Sequence, residues 1–65
     1  MVNFKKVEKI IVANGWFCAK VNGSHYRYRH PDSSLIITVP NHDDKDLHVG
    51  IIDNLEKTTG LSFRS

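Results

Sequence analysis

The residue best suited to acid–base chemistry is His25, which follows Gly23 and Ser24 in a stretch rich in cations. An imidazole can accept and return a proton near neutral pH. Lys20 and Arg27 lie nearby in sequence, and their charges disfavour the protonated ring, so we expect His25 to be largely neutral at about pH 7. A neutral histidine can remove a proton from a ribose 2′-hydroxyl, and a cation beside it can stabilise the phosphate under attack. The residues alone slightly favour a simpler interpretation, an ordinary exposed strand histidine.

Other reactive residues support weaker hypotheses. No two of the four histidines have the spacing of a metal-ligand pair, so we predict no metal site. Cys18 and Ser24 are candidate nucleophiles, but a strand cysteine usually packs and a serine after a turn usually serves the turn. As the only cysteine, Cys18 cannot form an intramolecular disulfide. Asp43, Asp44 and Asp46 form an acidic loop that we expect to favour the start of a helix rather than to bind a ligand.

Length and composition confine such chemistry to an open surface. The chain has 65 residues, which predicts a single domain over residues 1–65 with a thin core and little room for an enclosed cavity. The net charge of +2 does not by itself indicate a nucleic-acid partner. We identify neither a signal peptide nor a membrane span, and a small domain without disulfides suits a reducing cytoplasm.

Two amphipathic helices are predicted, one towards each end of the chain. Asn3 can cap the first, over residues 4–14, where apolar side chains recur at helical spacing until Gly15. The second runs from about residue 48 to residue 59 and ends at Gly60. Beyond it, two apolar side chains can fold back onto the core: Leu61 and Phe63.

Three antiparallel strands are predicted between the helices. An Asn22-Gly23 pair, flanked by runs rich in aromatic and β-branched residues, predicts a tight hairpin joining residues 16–21 and 24–30. A turn at residues 31–33 leads to a third strand over residues 35–39, which stops at Pro40. This order predicts an α+β fold with both helices on one face of a three-stranded sheet.

The hairpin turn fixes the strand register, and the register assigns side chains to the two faces of the sheet. With Asn22-Gly23 as the turn, Lys20 lies opposite His25. The uncovered face is then basic and carries Trp16, Cys18, Lys20, His25, Arg27 and Arg29. The core face carries Phe17, Ala19, Val21, Tyr26 and Tyr28, joined by Leu35, Ile37 and Val39.

A basic sheet face with one large ring is suited to nucleic acid. Lysine and arginine neutralise phosphates, and Trp16 could stack on a base. A solvated face that keeps the domain soluble is the alternative, and composition alone favours it.

The ordered motifs of the chain resemble the HicA toxin family of bacterial toxin–antitoxin modules, nearly from end to end. The resemblance rests on Asn14-Gly15-Trp16, Lys20, Gly23-Ser24-His25, Tyr28, His30-Pro31-Asp32, Thr38-Val39-Pro40, Lys45-Asp46-Leu47, Gly50 and Gly60-Leu61. It implies a fold like that of double-stranded-RNA-binding domains and a ribonuclease that cuts mRNA and arrests growth. It also implies that His25 is catalytic and that a HicB-type antitoxin covers this face.

The leading hypothesis is therefore a cytoplasmic endoribonuclease toxin from a bacterium or archaeon that needs no metal or other cofactor. His25 is the catalytic residue, Gly23 shapes the turn, and the expected RNA-binding residues are Trp16, Lys20, Ser24, Arg27 and Arg29. Two departures bear on RNA affinity, namely lysine at position 20, where many members carry arginine, and the acidic loop after Pro40. The alternatives are a non-catalytic RNA-binding module of the same fold and a protein-interaction domain.

Overall fold

The computed structural model describes residues 2–42 and 45–64, so Asp43 and Asp44 of the predicted acidic loop lie outside the described residues. Helix α1 spans Phe4–Ala13 and helix α2 spans Val49–Thr59. Between them lie strands β1 (Phe17–Asn22), β2 (His25–His30) and β3 (Ser33–Pro40). The strands form one antiparallel sheet in the order β1-β2-β3. The predicted α-β-β-β-α fold, like that of double-stranded-RNA-binding domains, is confirmed.

The ends of the two helices are fixed by local hydrogen bonds. The Asn3 side chain accepts a hydrogen bond from the Lys6 amide at 3.0 Å, which confirms the predicted cap of α1. Helix α2 begins at Val49, close to the predicted start, and Nδ1 of His48 caps it by accepting the Gly50 amide at 3.0 Å. Neither helix of the described chain is long and apolar enough to cross a membrane.

Gly15 is required at the connection between α1 and β1. Its φ of +97° lies in the region that residues with a side chain rarely adopt, and a Cβ there would lie 2.6 Å from Nε2 of His30. That imidazole is held by two backbone groups, because its Nε2 donates to the Asn14 carbonyl at 2.9 Å and its Nδ1 accepts the Asp32 amide at 3.0 Å. The end of α1 and the end of β2 are thus packed together without room for a larger residue.

One hydrophobic core joins both helices to the same face of the sheet. The ring of Phe4 in α1 lies 4.8 Å from the ring of Tyr26 in β2. The Tyr28 hydroxyl donates to the Glu8 carboxylate of α1 at 2.6 Å. The buried core side chains are Val2, Phe4, Val7, Ile11, Trp16, Tyr28, Ile37, Val39, Leu47, Ile52, Leu55 and Phe63. The fold-back of Phe63 is therefore confirmed, and partly buried Leu61 packs against the same core.

The hairpin register differs from the prediction. The two loop residues are Gly23 and Ser24, because Asn22 remains in β1 and pairs with His25. Lys20 consequently pairs with Arg27, and the prediction that it lies opposite His25 is wrong. A bulge follows at Ala19, after which Cys18 pairs with Tyr28. A bulge adds one unpaired residue and reverses the alternation of the strand beyond it.

The bulge explains why several faces were wrongly predicted along β1. Phe17 pairs with Arg29 and so shares the face turned away from the helices, whereas Cys18 shares the helix side with Tyr28. All of β1 is exposed, including Phe17, Ala19 and Val21, which had been assigned to the core. Leu35 is exposed as well. Arg29 pairs with Ile36 but His30 pairs with Ser33, so the register of β3 shifts between these two partners, and Leu35 lies within that shift.

The side of the sheet turned away from the helices is called here the open face. It carries side chains from all three strands, namely Phe17 and Lys20 of β1, His25, Arg27 and Arg29 of β2, and Ile36 and Thr38 of β3. The predicted positions of the three β2 residues are confirmed, because all three are exposed and alternate with buried or half-buried neighbours. In β3, Ile36 and Thr38 are exposed on either side of buried Ile37.

We expect Tyr28→Phe to lower the free energy of unfolding by about 1–3 kcal/mol at neutral pH, since the partly buried Glu8 carboxylate loses its donor. Burial and the hydrogen bond to Glu8 raise the pKa of the Tyr28 phenol far above its usual range. The folded chain therefore keeps a proton that the unfolded chain loses, so wild-type stability should fall as the pH rises above about 10. Tyr28→Phe should show a smaller fall in urea titrations at high pH. Tyr26→Phe is the control, and equal pH dependence in wild type and Tyr28→Phe would contradict the assignment.

Candidate nucleic-acid interface

The centre of the open face is the outward side of β2. His25, Arg27 and Arg29 alternate with Tyr26 and Tyr28, which turn towards the helices. Burial of Tyr28 thus fixes the phase of the strand and turns both arginines to solvent. None of the three strands contains an aspartate or a glutamate. The open face therefore combines cations with a histidine and has no strand carboxylate to neutralise them.

Three cations of this face lie around one shallow depression. Lys20 of β1 pairs directly with Arg27, and both line a depression of about 240 Å³ together with Arg29, Ala19 and Ile36. Like charges directly opposite one another in a sheet destabilise it. A bound phosphate relieves that repulsion, so the arrangement suits a polyanion better than it suits folding alone.

The described carboxylates near the helices are engaged elsewhere. Among residues 2–42 and 45–64, the ion pairs join Arg64 to Asp53 and to Glu56, the latter at 3.2 Å. Glu56 also accepts the backbone amide of Phe63 at 3.0 Å, and Glu8 accepts the Tyr28 hydroxyl. These contacts hold the C-terminal segment and α1 in place and leave the cations of the open face without a carboxylate partner within those ranges.

His25 is the first residue of β2 and lies at the edge of the basic cluster. It pairs with Asn22 on one side and with Pro40 on the other, and its side chain is exposed. Lys20 lies on the diagonal from His25, about 7–8 Å away between backbones, a distance that a lysine side chain can span. The imidazole also lines a groove of about 390 Å³ between β3 and α2, whose other wall includes Asn54 and Thr58.

The loop before His25 is shaped by its two residues. Gly23 adopts a φ of +63°, and no atom of the chain lies within 4 Å of the place where a Cβ would be. The glycine is therefore needed for its backbone conformation and not for close packing. The Ser24 carbonyl accepts the Asn41 amide at 2.7 Å, which ties this loop to the end of β3. His25 consequently projects from a backbone held on both sides.

Trp16 is not on the open face, and that prediction is wrong. Its side chain is only 6% exposed, belongs to the core, and lies edge-on to the His30 ring at 5.3 Å. Burial removes the indole from any role in stacking on a base. The aromatic ring that the open face does present is Phe17, which is 50% exposed and lies opposite Arg29. Alternation along β1 could not reveal it, because the bulge at Ala19 is not evident from residue types.

The remaining candidate residues lie apart from the open face. His30 faces the helix side, as its odd spacing from His25 requires, and its ring is bound to the turn and to the end of α1. Cys18 is exposed on the side shared with Tyr28. Within the part of the chain that the structure describes, no three histidine, cysteine or acidic residues are grouped so as to hold a metal ion.

The chain matches the model of a known protein family. The model of the HicA toxin of bacterial toxin–antitoxin systems matches residues 4–61 of the 65, from the first residue of α1 to just beyond α2. No curated protein matches the chain significantly. The match includes every element of the fold and every residue of the open face described above.

We expect the Trp16 indole to be protected from acrylamide, because it is buried against His30. The matched comparison is the double variant Trp16→Phe/Phe17→Trp, which moves the single indole by one residue onto the open face. Its quenching constant should be several-fold larger than that of the wild type, and its emission maximum should shift to longer wavelength. Equal quenching of the two proteins would contradict the register described for β1.

Proposed function

The chain belongs to the HicA toxin family of bacterial toxin–antitoxin systems, and we propose that it is an endoribonuclease that binds and cleaves mRNA with His25. The observation that carries the proposal is the position of His25. Its exposed imidazole has no hydrogen bond to any other described residue, and it lies beside a basic face that has no strand carboxylate. A free imidazole beside a phosphate-binding surface can remove the 2′-hydroxyl proton, the first step in the cleavage of RNA.

In the proposed reaction, the neutral imidazole of His25 removes the proton of a ribose 2′-hydroxyl. The 2′-oxygen attacks the adjacent phosphorus, so a 2′-O–P bond forms and the P–O5′ bond breaks. The leaving 5′-oxygen takes a proton from water or from the imidazolium, and the product carries a 2′,3′-cyclic phosphate. Lys20, diagonal to His25, stabilises the charge that develops on the phosphate. No metal ion or other cofactor is needed for this sequence.

Binding of the RNA backbone is assigned to the cations of the open face. Lys20, Arg27 and Arg29 surround one depression and can each contact a phosphate. Ser24, in the exposed loop before His25, can donate a hydroxyl hydrogen bond to the backbone near the scissile bond. Such contacts fix the position of the strand and carry no sequence information. Trp16 is excluded from this set by its burial.

The proposed antitoxin is a HicB-type protein that covers the open face and so excludes RNA. Toxin, antitoxin and mRNA would then meet in the cytoplasm of the host cell. Arrest of translation and growth follows when the antitoxin is lost.

A non-catalytic RNA-binding module is the second candidate, because of one observation. The groove that His25 lines has isoleucine, leucine, proline, threonine and asparagine as its other residues, and none of these is a second acid or base. A lone histidine suffices for binding, whereas cleavage must obtain its second proton transfer from water or from the same ring.

We expect His25→Ala to reduce cleavage of a labelled RNA by at least about 100-fold, because general acid–base catalysis contributes about 10²–10⁴-fold. RNA binding should remain within about twofold, since the cations stay in place. His42→Ala, which removes another exposed histidine outside the strands, is the control and should cleave normally. EDTA should leave wild-type cleavage unchanged.

Each other result of this assay points to a different error. Equal cleavage by wild type and His25→Ala refutes the catalytic assignment. Binding without cleavage by either protein favours the non-catalytic module. Loss of wild-type cleavage in EDTA would show that a metal ion takes part.

We expect Lys20→Gln and Arg27→Gln each to weaken RNA binding and to reduce the slope of log affinity against log salt by about 0.7, the value for one phosphate contact on a single strand. Lys5→Gln, which removes an exposed cation from α1, is the control and should leave the slope unchanged. Fluorescence anisotropy across a salt series measures both quantities. If all three variants gave the same slope as the wild type, the open face would not be the phosphate-binding surface.

A further inference from the structure

The exposed ring of Phe17 suggests what kind of RNA the open face holds. We propose that Phe17 is a stacking platform for an unpaired base, and that the substrate is therefore single-stranded RNA. This inference rests on the proposed binding of RNA to the open face and does not depend on His25 being catalytic.

The side chains of the open face form three rows that cross the sheet. Directly paired residues of neighbouring strands place Phe17, Arg29 and Ile36 in one row. The next row holds Lys20, Arg27 and Thr38, and the last row is that of His25, whose backbone partners are Asn22 and Pro40. Successive rows are about 7 Å apart, because residues two apart on a strand share a face. The surface thus changes from an apolar row with one cation, to a cationic row, to the row of the histidine.

In the row of Phe17, an aromatic ring lies beside the cation of Arg29. Phe17 and Ile36, each about half exposed, flank Arg29 on opposite sides at the spacing of adjacent strands. A single exposed apolar side chain needs no explanation. A ring beside an arginine on a face without strand carboxylates is more specific, because the guanidinium can hold a phosphate while the base attached to it stacks on the ring.

The bulge at Ala19 is what brings this ring to the cations. Phe17 and Lys20 are three residues apart, so in a regular strand they would point to opposite faces. The unpaired residue between Cys18 and Lys20 restores both to the open face. Val21 is as exposed as Phe17 but lies before the bulge, on the helix side of the sheet opposite Tyr26, so the bulge places these two residues on opposite faces. The chain therefore contains a matched apolar residue on each side of β1.

An unpaired base fits this platform better than a duplex does. The faces of paired bases are covered by their neighbours in the helix, and an A-form duplex presents mainly phosphates and 2′-hydroxyls to a protein. A ring contributes little to such a surface, whereas it gains about 1–3 kcal/mol from a base that is free to stack. From Phe17 to the row of His25 is about 13 Å, which an extended single strand spans with a few nucleotides.

The test compares Phe17→Ala with Val21→Ala in the His25→Ala background, which prevents cleavage during the measurement. Anisotropy is measured with a short labelled single-stranded RNA and with the duplex of the same sequence. Phe17→Ala should weaken single-strand binding by about 5- to 150-fold and duplex binding by less than about twofold. Phe17→Trp should keep or tighten single-strand binding. Val21→Ala should change neither, and thermal melts check that all variants fold.

The salt dependence of RNA binding distinguishes the contribution of the Phe17 ring from that of the cations. Phe17→Ala should keep the wild-type slope of log affinity against log salt, because no phosphate contact is removed. Equal effects of Phe17→Ala and Val21→Ala, or an equal loss for duplex and single strand, would overturn the proposal. The proposal would also be overturned if Phe17→Ala bound RNA normally and lost only its affinity for the antitoxin, since the ring would then contact a protein partner.

The outcomes also distinguish this inference from the proposed function. If no variant and no wild-type protein binds RNA, both fail together. If Phe17→Ala weakens single-strand binding while His25→Ala cleaves at the wild-type rate, the stacking platform stands and only the catalytic assignment fails.

Discussion

The hydrogen bond between the Tyr28 hydroxyl and the Glu8 carboxylate is the contact on which the open face depends. It joins the middle of β2 to α1 through a tyrosine that is fully buried. The Tyr28 hydroxyl is buried and the Glu8 carboxylate is partly buried, so loss of either partner leaves the other without its hydrogen bond at a cost in stability. Burial of the Tyr28 ring together with this hydrogen bond fixes β2 in a single phase, and strict alternation then directs His25, Arg27 and Arg29 to solvent. The position of the cations follows from a contact made on the other side of the sheet.

Much of this fold could be predicted because the decisive signals are local. The apolar spacing of α1 and its asparagine cap predict the helix almost to the residue, and the alternation of tyrosine with arginine predicts both faces of β2. The faces of β1 could not be predicted in the same way. Its register depends on whether Asn22 belongs to the turn or to the strand, and on a bulge that only pairing with β2 reveals. Alternation of residue types gives the right faces for Lys20 and Val21 and the wrong faces for Phe17 and Cys18, which lie beyond the bulge.

The direction of the Trp16 side chain could not be predicted from strand alternation. Trp16 precedes β1 rather than belonging to it, so strand alternation says nothing about its direction. Its burial follows from the tight connection at Gly15 and from the His30 ring, which are distant in sequence and close in space. The open face does present an aromatic ring, but it is Phe17, which had been assigned to the core face, and not Trp16.

The bulge at Ala19 has a consequence for how the protein behaves in a crowded solution. Strand β1 is an edge strand that carries exposed apolar side chains, and such an edge can recruit a second sheet and begin aggregation. An unpaired residue in the middle of the strand breaks the regular spacing of its free amides and carbonyls, and Lys20 places a charge beside the break. The chain can thereby keep the exposed apolar side chains of β1 available to a ligand, while the edge of β1 does not present a regular row of hydrogen-bonding groups to another copy of the chain.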